Sequence, residues 1–241
     1  MPKHGKKYRD ALKLLEPERE YEIKDAVDLL KKMSYAGFDE TVEMHFRLGI
    51  DPRQADQTVR STVILPAGTG KETRVLVFAV GEAARIAQEA GADFVGSDDL
   101  VKQINDGWLE FDATIAMADQ MGKVGGLGRI LGRRGLMPNP RSGTVIRAQE
   151  DLPAAIQELK RGRVEFRNDR TGIIHVAIGR ESFDQAALED NLYALVDAVM
   201  RAKPSAAKGV YCRSITVTST MGPGVPLDVA RTLETASERV A

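Results

Sequence analysis

The chain has 241 residues, 43% apolar and 29% charged, with 34 Lys and Arg against 35 Asp and Glu for a formal net charge of −1. That balance is ordinary for a globular protein, and the length allows one large domain or two modest ones. No apolar run approaches the roughly 20 residues that span a bilayer, the basic "MPKHGKKYRD" leads into no secretory signal, and one cysteine (Cys212) with scattered histidines (His4, His45, His175) leaves no internal disulfide and no zinc motif.

A reducing, cytoplasmic setting is therefore expected, with no cofactor and no metal. The first third reads helix, helix, strand, strand. "KYRDALKLL" and "IKDAVDLLKKM" carry apolar residues at helical spacing, Ile23, Val27 and Leu30 in the second. "TVEMHFRLGI" alternates strictly: Val42, Met44, Phe46, Leu48 and Ile50 on one side, Glu43, His45, Arg47 and Gly49 on the other. That predicts a half-buried strand. "VRSTVILP" predicts a second, ended by Pro66 and "AGTG".

From Thr73 the rhythm changes. "TRVLVFAV" is a continuous apolar run, as a strand covered on both faces requires. "EAARIAQEAG" reads as a helix, "ADFVG" as a short strand, "SDDLVKQINDG" as a helix with Ser97 as N-cap, and "FDATIAMA" as a further strand. The glycine-rich "GGLGRILGRRGLMPNP", Gly125 to Pro140, reads as a structured basic turn. After the helix "LPAAIQELKRG" the first style returns. "RVEFRNDRTGIIHVAIG" predicts a hairpin turning at "NDRTG". "SFDQAALEDNLYALVDAVMRAK" predicts a long amphipathic helix with Ser182 and Gln185 set for a capping box, and "GVYCRSITVTST" a final strand.

Strand–helix alternation in the middle predicts a parallel sheet layered by helices. The two outer pieces are each too small to bury a core alone, so an α/β domain inserted into a discontinuous α+β domain is expected. The expected bounds are 1–67 with 160–228 for the α+β domain, 68–159 for the insertion, and a disordered tail at 229–241. The two crossings, near Pro66–Gly70 and Lys160–Arg163, would make a hinge.

The near-zero net charge hides segregation. Residues 67–122 hold 4 Lys and Arg against 10 Asp and Glu, while residues 123–180 hold 12 against 5. Clustered cations of that kind steer a polyanion to one face. Catalytic motifs are missing. A dinucleotide fingerprint needs G-x-G-x-x-G after the first strand, yet "VLVFAV" is followed by a lone Gly81 and then Glu82, whose charge repels phosphate. Gly126, Gly128 and Gly132 are spaced one residue too widely. "GTGKET" approaches a phosphate loop at Lys71, but Glu72 replaces the hydroxyl residue and Leu65 the first glycine. Neither a nucleophile elbow nor a paired-carboxylate motif is present. The enzyme alternative that remains is a nucleotide or small acid bound in a cleft between the domains.

"KRGRVEFRNDR" gathers Lys160, Arg161, Arg163, Arg167 and Arg170 around the predicted turn. Guanidinium forks suit phosphates, and Asp169 would hold an arginine or accept from a ribose hydroxyl. Phe38 and Phe166 suit either base stacking or the core. In "STMGP", Thr220 supplies a hydroxyl, Met221 a flexible apolar contact and Gly222 close backbone approach.

Together, "MPKHGKKYR", "FDETVEMHFRLGIDPRQADQTVRSTVILPAGTGK", "GGLGRILGRRGLMPNPRSGTV", "GRVEFRNDRTGIIHVAIG" and "STMGPGV" resemble the L-one family of bacterial large-subunit ribosomal proteins, in register along nearly the whole chain. The resemblance implies a two-domain protein in which a Rossmann-like three-layer α/β/α domain is inserted into the α+β domain. It also implies binding of large-subunit rRNA at the mobile stalk, help in releasing deacylated tRNA from the E site, and translational repression through the protein's own mRNA. Carried over by motif, the rRNA-facing residues are Phe38, Thr41 and Glu43 of "FDETVE", Phe166, Arg167, Asp169 and Arg170 of "FRNDR", His175, and Thr220, Met221 and Gly222 of "STMGP". Arg129, Arg133, Arg134 and Arg141 would give a secondary contact to stalk RNA or tRNA. The family signature there runs G-x-x-L-G-P-R-G-x-M-P-N-P; Arg133 stands where proline is common, which adds a cation and frees the backbone. No catalytic residue and no membrane partner are implied.

Overall fold

The structure, a computed structural model, describes residues 5–16 and 18–240. By its contacts the chain divides into two compact units, one formed by Met1–Gly70 with Val164–Ala241 and the other by Lys71–Arg163. The first unit begins with α1 (Lys6–Leu12), α2 (Ile23–Met33), β1 (Thr41–Leu48) and β2 (Arg60–Ile64). The second holds β3 (Val75–Phe78), α3 (Glu82–Glu89), β4 (Phe94–Gly96), α4 (Asp98–Asn105), β5 (Ala113–Met117), α5 (Met121–Val124), α6 (Gly128–Arg133), β6 (Val145–Ile146) and α7 (Leu152–Lys160). The chain then completes the first unit with β7 (Arg163–Arg167), β8 (Ile173–Arg180), α8 (Gln185–Arg201), β9 (Cys212–Ser219), β10 (Val225–Leu227) and α9 (Val229–Val240).

In the first unit an antiparallel sheet runs β10-β9-β1-β8. The alternation of β1 decides which face is covered. Val42, Met44, Phe46 and Leu48 are buried in one cluster with Ile23, Val27 and Leu30 of α2 and Leu188, Leu192 and Leu195 of α8. Each such side chain taken out of water contributes about 1.5–3 kcal/mol. Directly opposed residues share a sheet face, so the other face carries Glu43, His45 and Arg47 of β1, His175 of β8, and Ser214, Thr216 and Thr218 of β9. One face is packed and the other is polar.

The segment read as a near-phosphate loop has a structural duty. Asn191 on α8 is fully buried; its carbonyl accepts the Ala67 N–H at 3.0 Å and its amide donates to Gly68 O at 2.9 Å and Ile178 O at 2.7 Å. Gly70, at φ +72°, lies where a Cβ would meet the Phe183 ring at 2.7 Å and Arg180 Cγ at 2.8 Å. Only glycine fits that exit from the unit.

In the second unit four strands run parallel in the order β4-β3-β5-β6. Val75 and Val77 of β3 pack with Ala83 and Ala87 of α3 and with Leu152 and Ile156 of α7. The alternate residues, Leu76 and Phe78, pack with Leu100 and Ile104 of α4 and with Val124, Leu127 and Leu131. Both faces are covered, which is why the β3 sequence is apolar without alternation.

Four local expectations need correction. The first part of the glycine-rich stretch is helical, through a 3₁₀ turn at Gly125–Leu127 that continues α5 and then α6, and only residues 134–139 form turn and loop. Val124, Leu127 and Leu131 form a buried stripe at helical spacing, and their burial outweighs the poor helix propensity of the glycines between them. Arg133 is the last residue of α6, and Gly135 at φ +71° ends the helix, so the cation sits on a helix end and not in a loosened turn.

"RVEFRNDRTGIIHVAIG" is not a simple hairpin. β7 pairs with β2 and β8 with β1; the two arms are linked by the isolated bridge Asn168–Ile174 and by bonds of Asp169 to Ile173. Nor is there a capping box on α8: its N-cap is Asp184, and Ser182 donates N–H and hydroxyl to Asp39 at 3.0 and 2.8 Å. The tail expected to be disordered forms α9, with Ala236 buried and Val229 and Leu233 against the core of the first unit. Val229, Leu233 and Ala236 follow helical spacing, a signal hidden by the charges around them. Ala241 lies outside the described residues, as do Met1–His4 and Pro17.

Candidate nucleic-acid interface

Two loops meet at one end of the first unit's sheet. The segment before β1 carries Tyr35, Phe38 and Glu40; the turn after β9 carries Thr220, Met221 and Gly222. The Thr41 N–H donates to Thr220 Oγ1 at 3.0 Å, and the Thr220 hydroxyl donates back to Thr41 O at 3.3 Å. The Tyr35 hydroxyl donates to Met221 O at 2.6 Å. Arg180 donates to Thr41 Oγ1 at 3.0 Å and to Asp39 O at 3.3 Å.

Glu40 joins the two loops. It is fully buried, accepting the Met221 N–H at 2.8 Å on one carboxylate oxygen and the Ser34 hydroxyl at 3.1 Å on the other. Burial alone would raise its pKa, but the Met221 N–H, the Ser219 and Ser34 hydroxyls and the Ala36 N–H outweigh that and hold it below the usual value. Gly222 is tightly placed, since a Cβ there would come within 2.5 Å of Ser219 Oγ. With these polar groups engaged inward, the apolar side chains of Phe38 (56% exposed) and Met221 (49%) face outward. Sequence reading missed Glu40, because a carboxylate beside Asp39 at a strand start looks like solvated surface.

The polar sheet face continues from this end. His45 and His175 are directly paired across β1 and β8, their Nδ1 atoms 2.9 Å apart. Glu43 lies 4.0 Å from His45 Nε2, and Asp169 lies 3.7 Å from His175 Nε2. Burial first, and then the charge of His175, lower the His45 pKa, against a smaller raising by Glu43. One ring nitrogen donates and the other accepts across this contact.

The turn between β7 and β8 is built on Asp169. Its Oδ1 accepts the Thr171 N–H at 2.8 Å, the Thr171 hydroxyl at 2.7 Å and the Ile173 N–H at 2.9 Å. Burial would raise this carboxyl, yet those donors hold it at about 2. Asp169 therefore shapes the turn and does not hold an arginine. Arg167 and Arg170 flank it, exposed and without an ion pair among the described residues.

Phe166 is the residue the structure removes from the site. It is 1% exposed and belongs to the core, because on β7 it points inward while Glu165 and Arg167 point out. It cannot stack on a base. The remaining motif residues fall into three places: the loop pair (Phe38, Thr41, Thr220, Met221, Gly222), the polar sheet face (Glu43, His175) and the Asp169 turn (Arg167, Asp169, Arg170).

In the second unit, Arg129 and Arg133 on α6, Arg134 at its C-cap and Arg141 in the following 3₁₀ turn are all exposed. None forms an ion pair among the described residues. Among those residues there is no cluster of three or more His, Cys, Asp or Glu that could hold a metal, and no helix is long and apolar enough to cross a membrane. Cys212 is buried, which pushes its thiol up to about 11 and leaves it inert.

A discontinuous α+β unit with one polar sheet face, edged by a prebuilt loop pair and carrying an α/β insertion with exposed arginines, has the features of an RNA-binding protein without catalytic machinery. Residues 30–223 match the model of the "Ribosomal protein L1p/L10e family", and the chain belongs to that family. It is 67% identical over 240 residues to "Large ribosomal subunit protein uL1" of Thermomicrobium roseum, covering 100% of both chains. It is 60% identical over 230 residues to the protein of that name in Chloroflexus aggregans, covering 95% of this chain and 97% of the other. With the Dehalococcoides mccartyi protein of the same name it shares 54% over 229 residues, 95% and 96% covered. Membership makes it a ribosomal protein of the large subunit, and the enzyme alternative is set aside.

Proposed function

We propose that the first unit reads large-subunit rRNA at the mobile stalk through the joined loops and the polar sheet face beside them. The observation that carries this reading is the loop pair itself. Its polar groups are satisfied internally, so it is rigid before RNA arrives, and it presents Phe38 and Met221 beside small polar groups. Folded RNA is recognised by shape, sugar hydroxyls and splayed bases, which need such a surface more than they need net charge. Arg167 and Arg170 supply phosphate contacts that position the complex.

The four arginines of the second unit extend the reading to a secondary contact with stalk RNA or E-site tRNA, and through it to release of deacylated tRNA. The same loop pair would bind a stalk-like structure in the protein's own mRNA and repress its translation. The test is binding to a stalk-region rRNA fragment and to an unrelated hairpin of equal length across a salt series. Preference for the stalk fragment that survives while both affinities fall with salt supports the reading. Equal binding to both RNAs at every salt concentration would contradict it. For repression, cell-free synthesis from the protein's own transcript should fall on adding protein and recover on adding stalk fragment.

A further inference from the structure

We infer that Glu40 is a positioning residue for RNA recognition, one that touches no RNA but sets the geometry of the two loops that do. The inference rests on the function proposed above. Glu40 has no exposed surface, so it cannot be a contact. It is also poorly explained as mere filling, since an isolated buried carboxylate is costly and an apolar side chain would serve a core better.

What its two oxygens hold decides its role. One accepts the N–H of Met221, fixing the backbone of the turn whose side chain is the exposed methionine. The other accepts the hydroxyl of Ser34, and the Ser219 hydroxyl and Ala36 N–H add to the set. These groups come from segments some 180 positions apart in sequence, and they lie at the two roots of the loop pair. Tyr35 closes the same link from the other side by donating to Met221 O. Remove the carboxylate and the Met221 N–H loses its partner, freeing the turn to sample other conformations. RNA would then have to order the turn as it binds, which reduces affinity for the RNA that needs this geometry. Loose, charge-driven binding to any RNA would be unaffected.

The experiment compares wild type, Glu40→Ala and Glu40→Gln in the full chain. Each is measured for affinity to the stalk-region fragment and to the unrelated hairpin, with thermal melting and hydrogen exchange of the Met221 amide alongside. Gln is isosteric; its carbonyl can accept the Met221 N–H while its amide donates to a serine hydroxyl that rotates to accept. The expected result for Glu40→Ala, measured well below its melting temperature, is about tenfold weaker binding to the stalk fragment. Its hairpin binding stays unchanged and its Met221 amide exchanges faster. Glu40→Gln should recover most of the stalk affinity. A purely structural role predicts instead that both RNAs are bound less in proportion to the unfolded fraction.

Wild type that prefers the stalk fragment and Glu40→Ala that keeps that preference in full would overturn this inference alone. Wild type that shows no preference would overturn the reading of the site and this inference with it. Should Glu40→Ala not fold, Ser34→Ala combined with Tyr35→Phe removes two of the linking hydroxyls and leaves the carboxylate. That variant should lower the stalk preference about threefold, and an unchanged preference would count against the inference.

Discussion

The loop pair of the first unit and the α6 segment of the second would both have been described as turns from their sequences, and they are built in opposite ways. The loop pair is polar chain pinned by a buried carboxylate, two threonines, a tyrosine and an arginine, leaving two apolar side chains outside. The α6 segment is a buried apolar stripe with glycines and exposed arginines outside. A surface held by its own hydrogen bonds can discriminate shape. A surface of free cations on a short helix attracts any polyanion. Under the proposed function, selectivity belongs to the loop pair, and the α6 segment adds to the salt-dependent attraction that Arg167 and Arg170 begin in the first unit.

The largest effect should come from a residue that does not belong to the interface. Phe166→Ala leaves a cavity in the first unit's core and should cost about 3–5 kcal/mol of stability, read as a lower melting temperature or denaturant midpoint. At temperatures where it remains folded, its preference for the stalk fragment should equal that of wild type. A selective loss of stalk binding would return Phe166 to the interface.

Next, Phe38→Ala or Met221→Ala should weaken stalk-fragment binding by about 1–3 kcal/mol, the range for losing a stacking or apolar contact to a base. Because both side chains are exposed, melting temperatures should hardly move. A stability loss as large as that of Phe166→Ala would mean that these side chains pack instead of read.

Proton linkage separates the polar sheet face from the turns. The folded pKa of His45 is lowered, chiefly by burial. At pH well above its ordinary 6.5 both folded and unfolded chains are neutral there. As pH falls below 6.5 the unfolded chain takes up the proton first, so stability should decline. Melting temperatures from pH 7.5 down to 5.5 should fall more steeply in wild type than in His45→Asn. Asp169 in the first unit and Asp112 in the second are both lowered to about 2. For Asp112, burial is outweighed by Lys71 and Arg74. Their stabilisation is present in full above the ordinary carboxylate value of 3.8 and disappears as pH falls toward about 2. Acid should therefore weaken both units in that window, whereas the His45 effect is confined to the first.

The smallest single effects should come from the arginines of the second unit. Replacing any one of Arg129, Arg133, Arg134 or Arg141 should change affinity little at physiological salt. Each that neutralises a phosphate should flatten the slope of log affinity against log salt by about 0.7–0.9.

What the sequence made legible follows the strength of its periodic signals. Strict alternation in "TVEMHFRL" gave β1 and its buried face, and the apolar run in "VLVF" gave a strand covered on both sides. Glycines concealed the Val124, Leu127 and Leu131 stripe, and charges concealed the spacing of Val229, Leu233 and Ala236 in α9. At the candidate site, motif matching gathered the loops but could not sort their residues. The alternation of "RVEFR" does set Phe166 with Val164 on one face, whereas Phe38 precedes its strand and carries no such pattern. Glu40 left little local signal, because Ser34 and Ala36 lie close by in sequence but the Met221 N–H and Ser219 hydroxyl that complete its set of donors come from the far end of the chain.

The most direct test of this division of labour is the ratio of stalk-fragment to control-hairpin affinity in two variants. One carries Phe38→Ala with Met221→Ala; the other replaces Arg129, Arg133, Arg134 and Arg141 with alanine. The first variant should lose the preference while keeping hairpin affinity, and the second should keep the preference while both affinities and their salt slopes fall. A preference lost with the arginines and kept without the loop side chains would contradict that division.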